Sequence, residues 1–423
     1  MFFRCFSTHP NGNETALKIL QINCVYDTGS TGKLVRLLHE RLKAEGMEST
    51  VIYGRGAVVR EDGVVKVCRE LFGKANNFFS RMTGLMYGGC LLSTARIKRI
   101  IQQEKPDLVH IHCINGYFVN IYSLMRWLRE KNYPVVLTLH AEFMYTANCS
   151  HAFECDKWLV GCGQCGDIRA ATKSWFFDRT AESFERMRQA FAGFSDRLAA
   201  VSVSPWQFSR AERAPILSGV RHVVIGNGVD TQVFYPREGG SACKAELGIS
   251  EENKVVFHAT AHFDPTPGHA KGGSYVLELA ERLKNDPVIF VVAGRGGEGV
   301  KAPRNVIFLG HVGDQEKLAE YYSMADLTLI TSRRETYGMP CAESLCCGTP
   351  VVGFQAGGPE TIALADYSMF TEFGDVDQLE SRIRQYIRSP AKRERIASEA
   401  EKCYATKRMT EQYLDLYRSM ICG

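Results

Sequence analysis

Residues 326–354 constrain the fold of this chain more than any other stretch. Apolar runs at 326–330 and 351–354 read as buried strands. Between them lie a turn and a helix of about two turns, with Pro340 near its start and Gly348 at its end. Two carboxylates flank the helix start, Glu335 in the loop and Glu343 on the helix, with seven residues between them. Both can point into a crevice at the carboxyl end of a parallel strand, where open α/β sheets bind ligands. Carboxylates accept hydrogen bonds from hydroxyls, so the pair suits a polyol, such as a ribose and a hexose joined by a diphosphate.

At 423 residues the chain exceeds one ordinary core and fits two domains of Rossmann size. Apolar content of 45% and charged content of 23% are those of a soluble globular protein. A net charge of +4 is too small for nucleic acid to be the main partner. The charge is uneven, however: from Arg36 to Lys105 thirteen Lys/Arg stand against seven Asp/Glu, which implies a basic face on the N-terminal half. No apolar run reaches the ~20 residues of a membrane helix. Residues 1–16 lack the continuous apolar segment of a signal peptide and read as a disordered leader. Fifteen cysteines without a secretion signal point to a reducing cytoplasm, where thiols serve as core residues or metal ligands.

Residues 17–23 read as a first strand. The glycine-bearing loop 27–33 follows, then a helix with Leu34, Leu37, Leu38 and Leu42 on one face. Gly29 and Gly32 make this a phosphate-approach unit, since backbone amides at a helix N-terminus favour anions. It is no nucleoside-triphosphatase loop: Asp27 stands where that motif needs a glycine, and Leu34 where Ser or Thr would hold magnesium. A tight turn without a ligand is the plainer alternative.

Over residues 71–101, Phe72, Phe79, Met82 and Met86 recur at helical spacing among Lys74, Arg81, Arg96, Lys98 and Arg99. Such a stripe reads first as core, and second as a face resting on an anionic membrane. Strands at 107–112 and 134–139 end in His112 and His140, which would set two imidazoles at one crevice edge near Asn115; for each, a satisfied polar residue is the plainer reading. Cys149, Cys155, Cys162 and Cys165 fall within seventeen residues, the last two as Cys-x-x-Cys. A tetrahedral structural zinc needs four such ligands and would leave no open position for chemistry. Free thiols or a redox pair are the alternatives.

A polar helical region at 168–194 leads to a strand at 198–203, and the domain boundary falls in the loop-rich segment near 230. Beyond it, strands at 255–259, 288–293, 306–309, 327–330 and 351–354 alternate with helices such as 274–284 and 315–324. That rhythm predicts a second parallel sheet covered on both faces. Lys271, just before Gly272-Gly273 at a helix start, is placed to meet a diphosphate, with a solvated loop lysine as the alternative.

Taken together, several motifs resemble the retaining glycosyltransferases of family 4. They are Glu335 and Glu343 with Gly338, Gly348-Thr349-Pro350-Val351-Val352, Gly357-Gly358-Pro359-Glu360, Lys271-Gly272 and Asn227-Gly228-Val229-Asp230. Gly29-Ser30-Thr31-Gly32, His110-Ile111-His112, Asn115-Gly116, Leu139-His140 and the four cysteines are similar to bacterial exopolysaccharide, capsule and colanic-acid-type transferases. The resemblance implies an α/β GT-B fold, two Rossmann-like domains whose parallel sheets face across a cleft. The N-terminal acceptor-side domain would span 17–230 and the nucleotide-sugar domain 231–404, with a C-terminal helix at 405–423 crossing back.

It implies further that Glu343 binds the donor ribose and Glu335 the sugar hydroxyls. Amides of Thr336, Tyr337, Gly338 and Met339 would orient sugar and phosphate, Lys271 would neutralise the diphosphate, and Val312 would meet the base. His140 and the region of Gly29 and Gly32 would complete the site, with His112 and Asn115 on the acceptor side. The family's arginine before its Lys-Gly is absent here, so His262 or Arg295 would take that role, and Tyr337 replaces a common Phe. The expected reaction moves a hexose from a UDP- or GDP-linked donor to a glycan or lipid-linked acceptor, without a catalytic metal or cofactor. It would take place in the cytoplasm or at the inner face of its membrane. Two other classes stay open: an epimerase or phosphorylase on a similar fold, which the paired glutamates argue against, and a non-catalytic, zinc-clipped sugar-nucleotide-binding protein.

Overall fold

The computed structural model describes residues 7–8, 14–388 and 392–422. The chain divides into two compact units, Met1–Ile225 with Thr410–Gly423 in one and Gly226–Met409 in the other.

The first unit is built on seven parallel strands: β1 (Lys18–Asn23), β2 (Glu48–Tyr53), β3 (Val64–Lys66), β4 (Leu108–Ile111), β5 (Val135–Leu139), β6 (Leu198–Ser202) and β7 (Arg221–Val224). Their order is β3-β2-β1-β4-β5-β6-β7. β4, β5 and β6 are buried at every position, as strands covered on both faces must be, so they read as mostly apolar runs broken only by His110, Thr138 and Ser202. The order reverses direction between β1 and β4, where Gln21 is in register with His110. Helix α1 (Gly29–Ala44) follows β1 and buries Leu34, Val35, Leu38 and Leu42.

The second unit repeats the plan with six parallel strands: β8 (Lys254–His262), β9 (Val288–Arg295), β10 (Val306–Gly310), β11 (Leu327–Ile330), β12 (Val351–Phe354) and β13 (Ser368–Thr371). Their order is β10-β9-β8-β11-β12-β13, so here the reversal lies between β8 and β11. Its core joins Val256, Phe290, Val292, Leu329 and Val352 of the strands to Val276, Leu279, Leu379 and Ile383 of the covering helices.

The boundary expected near 230 lies a few residues earlier. Val229 N–H donates to Tyr404 O at 2.7 Å and Thr406 N–H to Val229 O at 2.9 Å, which ties this loop into the second unit. The closing helix Thr406–Cys422 enters the first unit from Thr410 onward. Of the leader expected to lack structure, Ser7–Thr8 pairs antiparallel with Glu14–Thr15, and residues 1–6 and 9–13 lie outside the described residues.

Two helical expectations are corrected. Residues 71–101 form two helices, α2 (Glu70–Thr83) and α3 (Leu91–Glu104), because Gly84 takes a left-handed conformation and ends the first. Phe79 and Met82 are exposed on α2, not in the core, whereas Met86 is buried outside either helix. The region 168–194 is a single turn, Ile168–Ala171, then a loop, then a helix at Thr180–Phe191. No helix among the described residues is long and apolar enough to cross a membrane.

Candidate functional site

In the second unit, the residues singled out in the sequence collect at the carboxyl ends of β8, β9, β10 and β11. Lys271 follows β8 and Glu335 follows β11, the two strands that flank the reversal point. Lys271 Nζ donates to Glu335 Oε1 at 2.6 Å, with the side chains 36% and 23% exposed. Gly272 holds the lysine in place. Its φ is +67°, and a Cβ there would stand 2.0 Å from Thr331 O, so no other residue fits. Thr331 Oγ1 donates to Lys271 O at 3.2 Å and Arg333 N–H to Ala270 O at 2.8 Å, which fastens the lysine loop to the strand end that carries Glu335.

The loop carrying Glu335 is stitched to the following turn. Glu335 N–H donates to Ala356 O and Gly358 N–H to Glu335 O, each at 2.9 Å. Glu360 braces that turn by accepting from Ala356 N–H at 3.0 Å and Gly357 N–H at 2.7 Å. Gly338, at φ +88°, opens helix α4 (Met339–Cys346) and has no side chain with which to cap it. A Cβ at Gly338 would also come within 2.6 Å of Pro359 Cγ. Thr336, Tyr337, Gly338 and Met339 therefore run directly into an N-terminus with no side-chain cap, where amides favour negative charge. Tyr337 does not offer its side chain to a ligand. The ring is buried and its hydroxyl donates to Asn227 O at 2.8 Å, and burial pushes the phenol pKa up.

Glu343 lies on α4 and accepts from Tyr322 OH at 3.0 Å. Burial first, and then the Glu343 carboxylate, keep that phenol protonated. Ser344 Oγ donates to Thr328 Oγ1 at 2.7 Å and so fixes α4 against β11. His262 and Arg295 are register partners at the ends of β8 and β9, and both are exposed. Val312 is half-buried in the turn after β10. His258, one strand layer below, escaped the sequence reading. It is buried, pairs through Nδ1 with Leu329 O at 3.0 Å, and feels the charges of Lys271 and Glu335. Burial holds its pKa at about 4, so the ring is neutral and Nε2 carries a lone pair.

In the first unit the strand-end histidines come together. His112 Nδ1 lies 3.3 Å from His140 Nε2 with the rings stacked, and His112 Nε2 lies 3.1 Å from Gln21 Oε1. With Gln21 Oε1 as acceptor, His112 Nε2 carries the proton and its Nδ1 accepts from His140 Nε2–H. That polarity leaves a lone pair on His140 Nδ1. Burial lowers the pKa of His140 to about 4 and that of His112 well below its ordinary value, so both rings are neutral. Behind them, His110 pairs with Tyr417 OH at 2.6 Å and Thr138 Oγ1 at 2.8 Å, and Thr138 pairs with Tyr413 OH at 2.8 Å. Gln21 was missed, although a polar residue within the buried run Lys18–Asn23 is a signal in itself.

The glycine segment is also corrected. Gly29 and Gly32 lie in the first turn of α1, not in a loop, and the N-cap Thr28 makes no side-chain hydrogen bond there. The amide end of α1 is thus formed by these glycines themselves. Asn115 is half-buried and accepts from Cys113 Sγ at 3.2 Å.

The four cysteines share one neighbourhood. Burial, followed by the charges of Cys162, Cys165 and Cys155, pushes the Cys149 thiol up to about 12. Among the described residues no group of three or more His, Cys, Asp or Glu is arranged to hold a metal ion. The loop is anchored instead by buried Glu142. Its Oε2 accepts from Ala152 N–H at 3.2 Å and from Arg210 Nη2 at 3.1 Å, and the Arg210 guanidinium lies over the rings of Trp158 and Trp206.

Comparison with known proteins bears on the family and the fold. Residues 31–233 match the family model described as Glycosyltransferase Family 4, and residues 266–403 the model Glycosyl transferases group 1. The chain is similar to the putative colanic acid biosynthesis glycosyl transferase WcaC of Escherichia coli K12. The two are 22% identical over 96% of this chain and 100% of the relative. Among solved structures, a sucrose-phosphate synthase from Thermosynechococcus elongatus superposes with a TM-score of 0.69 at 16% identity, over 96% of this chain and 99% of the other. HepE of Anabaena in complex with UDP-glucose gives a TM-score of 0.62 at 16% identity, over 95% and 100%.

Proposed function

The chain belongs to the GT-B glycosyltransferases of family 4, and from that premise we propose that it moves a hexosyl group, with retention, from a UDP- or GDP-linked donor to a lipid-linked glycan in bacterial surface polysaccharide synthesis. The observation that carries this reading is the Lys271–Glu335 pair at the two strand ends flanking the reversal point, beside the start of α4. The name of the colanic-acid relative supports the polysaccharide assignment, and the UDP-glucose complex of HepE supports a nucleotide-sugar donor.

Cleavage at the anomeric carbon builds negative charge on the departing diphosphate and positive charge on the sugar. Lys271 and the amides at the start of α4 stabilise the first of these. Without donor, Lys271 is held by Glu335. An arriving diphosphate takes over the ammonium and leaves Glu335 to accept from sugar hydroxyls, while Glu343 accepts from the ribose. The acceptor oxygen attacks from the face the diphosphate leaves, and the acceptor proton passes to a phosphate oxygen. Glu335 therefore holds the donor and forms no bond to the sugar. In the first unit, neutral His140 acts as a hydrogen-bonding group and the Gly29–Gly32 turn as an amide donor.

The proposal has two further parts. The basic stretch Arg36–Lys105 supports work at the inner face of the cytoplasmic membrane. Four thiols within seventeen residues, Cys149, Cys155, Cys162 and Cys165, the last two as Cys-x-x-Cys, support a structural zinc.

Turnover of a panel of UDP- and GDP-sugars by the purified protein tests the reading. Donor cleavage abolished by Glu343→Ala is the expected result. A covalent glycosyl adduct on Glu335→Gln or wild-type protein, seen by mass spectrometry, would overturn the same-face mechanism.

A further inference from the structure

Helix α2 (Glu70–Thr83) is turned inside out. Successive helical residues advance by about 100°, so Leu71, Ala75, Phe78 and Met82 share one stripe with Phe79 beside it. Gly73 and Ser80 fall on the opposite side. Only Gly73 and Ser80 are buried, and the fit there is close: a Cβ at Gly73 would lie 2.2 Å from the Arg55 guanidinium. Phe72 packs against the core, but the other large apolar side chains face outward, with Leu71 81%, Phe78 51% and Phe79 63% exposed.

A second segment extends this face. Trp175 N–H donates to Arg81 O at 2.9 Å, and the Trp175 ring meets Phe78 edge-on at 5.5 Å. Phe176 and Phe177 follow, both more than half exposed. Single exposed apolar residues need no explanation, but a continuous patch drawn from two segments marks a contact surface.

The charge around the patch narrows the partner. After Glu70, which is paired with Arg55 and Lys66, α2 carries Lys74 and Arg81 and no further Asp or Glu, and residues 168–177 carry Arg169 and Lys173 with none either. Aromatic side chains rimmed by lysine and arginine match the boundary between acyl chains and anionic headgroups. A second copy of the chain would set these cations against their own kind.

We propose that Phe78, Phe79 and Met82 of α2, with Trp175, Phe176 and Phe177, seat the protein on an anionic lipid bilayer, with Lys74, Arg81 and Lys173 at the headgroups. This deepens the reading of a lipid-linked acceptor by naming the surface that meets the membrane. It stands on that surface and not on the sugar chemistry.

The test is co-sedimentation of the full chain with vesicles of phosphatidylcholine alone or mixed with phosphatidylglycerol. Wild type should bind the anionic vesicles and leave the neutral ones. Phe78→Ser with Phe79→Ser and Trp175→Ser should weaken binding by roughly tenfold or more. Lys74→Glu with Lys173→Glu should remove the salt-sensitive part. All substituted positions are exposed, and donor cleavage by each variant reports an intact protein. Equal binding of wild type and the aromatic variant would overturn the proposal. So would failure of wild type to bind, or self-association without vesicles that the aromatic variant abolishes. Loss of donor cleavage in wild type would count against the sugar reading while the vesicle result stood.

Discussion

Replacing Glu335 with glutamine probes the site at its centre. Without donor, the carboxylate holds Lys271 at 2.6 Å, and both side chains are partly open to solvent. A pair that open contributes about 0.2–1 kcal/mol. A diphosphate must draw Lys271 away, so the same amount opposes its binding. Glutamine keeps the shape and removes the charge, and UDP or GDP should then bind up to about fivefold more tightly. Lys271→Ala acts in the opposite sense. It removes a charge-assisted contact of about 1.5–3 kcal/mol and should weaken the diphosphate by about 10- to 150-fold. Turnover should fall in both, for the lysine variant by about 10²–10³. Isothermal titration with UDP and GDP, alongside steady-state turnover, separates binding from chemistry. If Glu335→Gln weakens the diphosphate as much as Lys271→Ala does, then Glu335 does not compete with the diphosphate for the lysine.

Four other outcomes are expected. Burial holds His258 near 4, below its ordinary 6.5. The unfolded chain therefore takes up that proton first, and stability should fall as pH drops from 6.5 toward 4, by up to about 3 kcal/mol. His258→Asn keeps a donor for Leu329 O and should flatten that part of the slope in urea titrations at about pH 7 and about pH 4.5. Tyr337→Phe leaves the Asn227 carbonyl without its 2.8 Å donor, which should cost about 1–3 kcal/mol by denaturant unfolding. Glu142→Ala strands a largely buried Arg210 and should cost about 3–5 kcal/mol in the same measurement. Elemental analysis of protein purified without chelator should find one zinc per chain, released by Cys162→Ser with Cys165→Ser; a metal-free protein with full activity would refute the clip.

The second sheet was legible because its inner strands are buried on both faces and its loops carry glycine and charge. Glu335, Glu343 and Lys271 could be placed at strand ends from local pattern alone. Their pairing could not. Lys271 and Glu335 are 64 residues apart, and they meet only because β8 lies beside β11 across the reversal point. The same holds for Gln21, whose contact with His112 depends on β1 lying beside β4. Helical period showed the apolar stripe of α2 but not which way it faces, since that depends on small residues fitting closely beneath it. Polar composition at 168–194 concealed the break made by the Trp175-Phe176-Phe177 turn.

The chain leaves its first unit at Ile225 and re-enters it at Thr410. Residues 226–409 are thus one uninterrupted insert, and a gene fragment encoding them is the natural starting point for studying nucleotide binding in isolation. A fragment ending at residue 225 would be a poor counterpart. It would lack Tyr413 and Tyr417, leaving His110 and Thr138 with only each other as partners in the buried interior. The missing tail would have to be grafted back, for instance by rejoining residue 225 to 410 through a short flexible spacer.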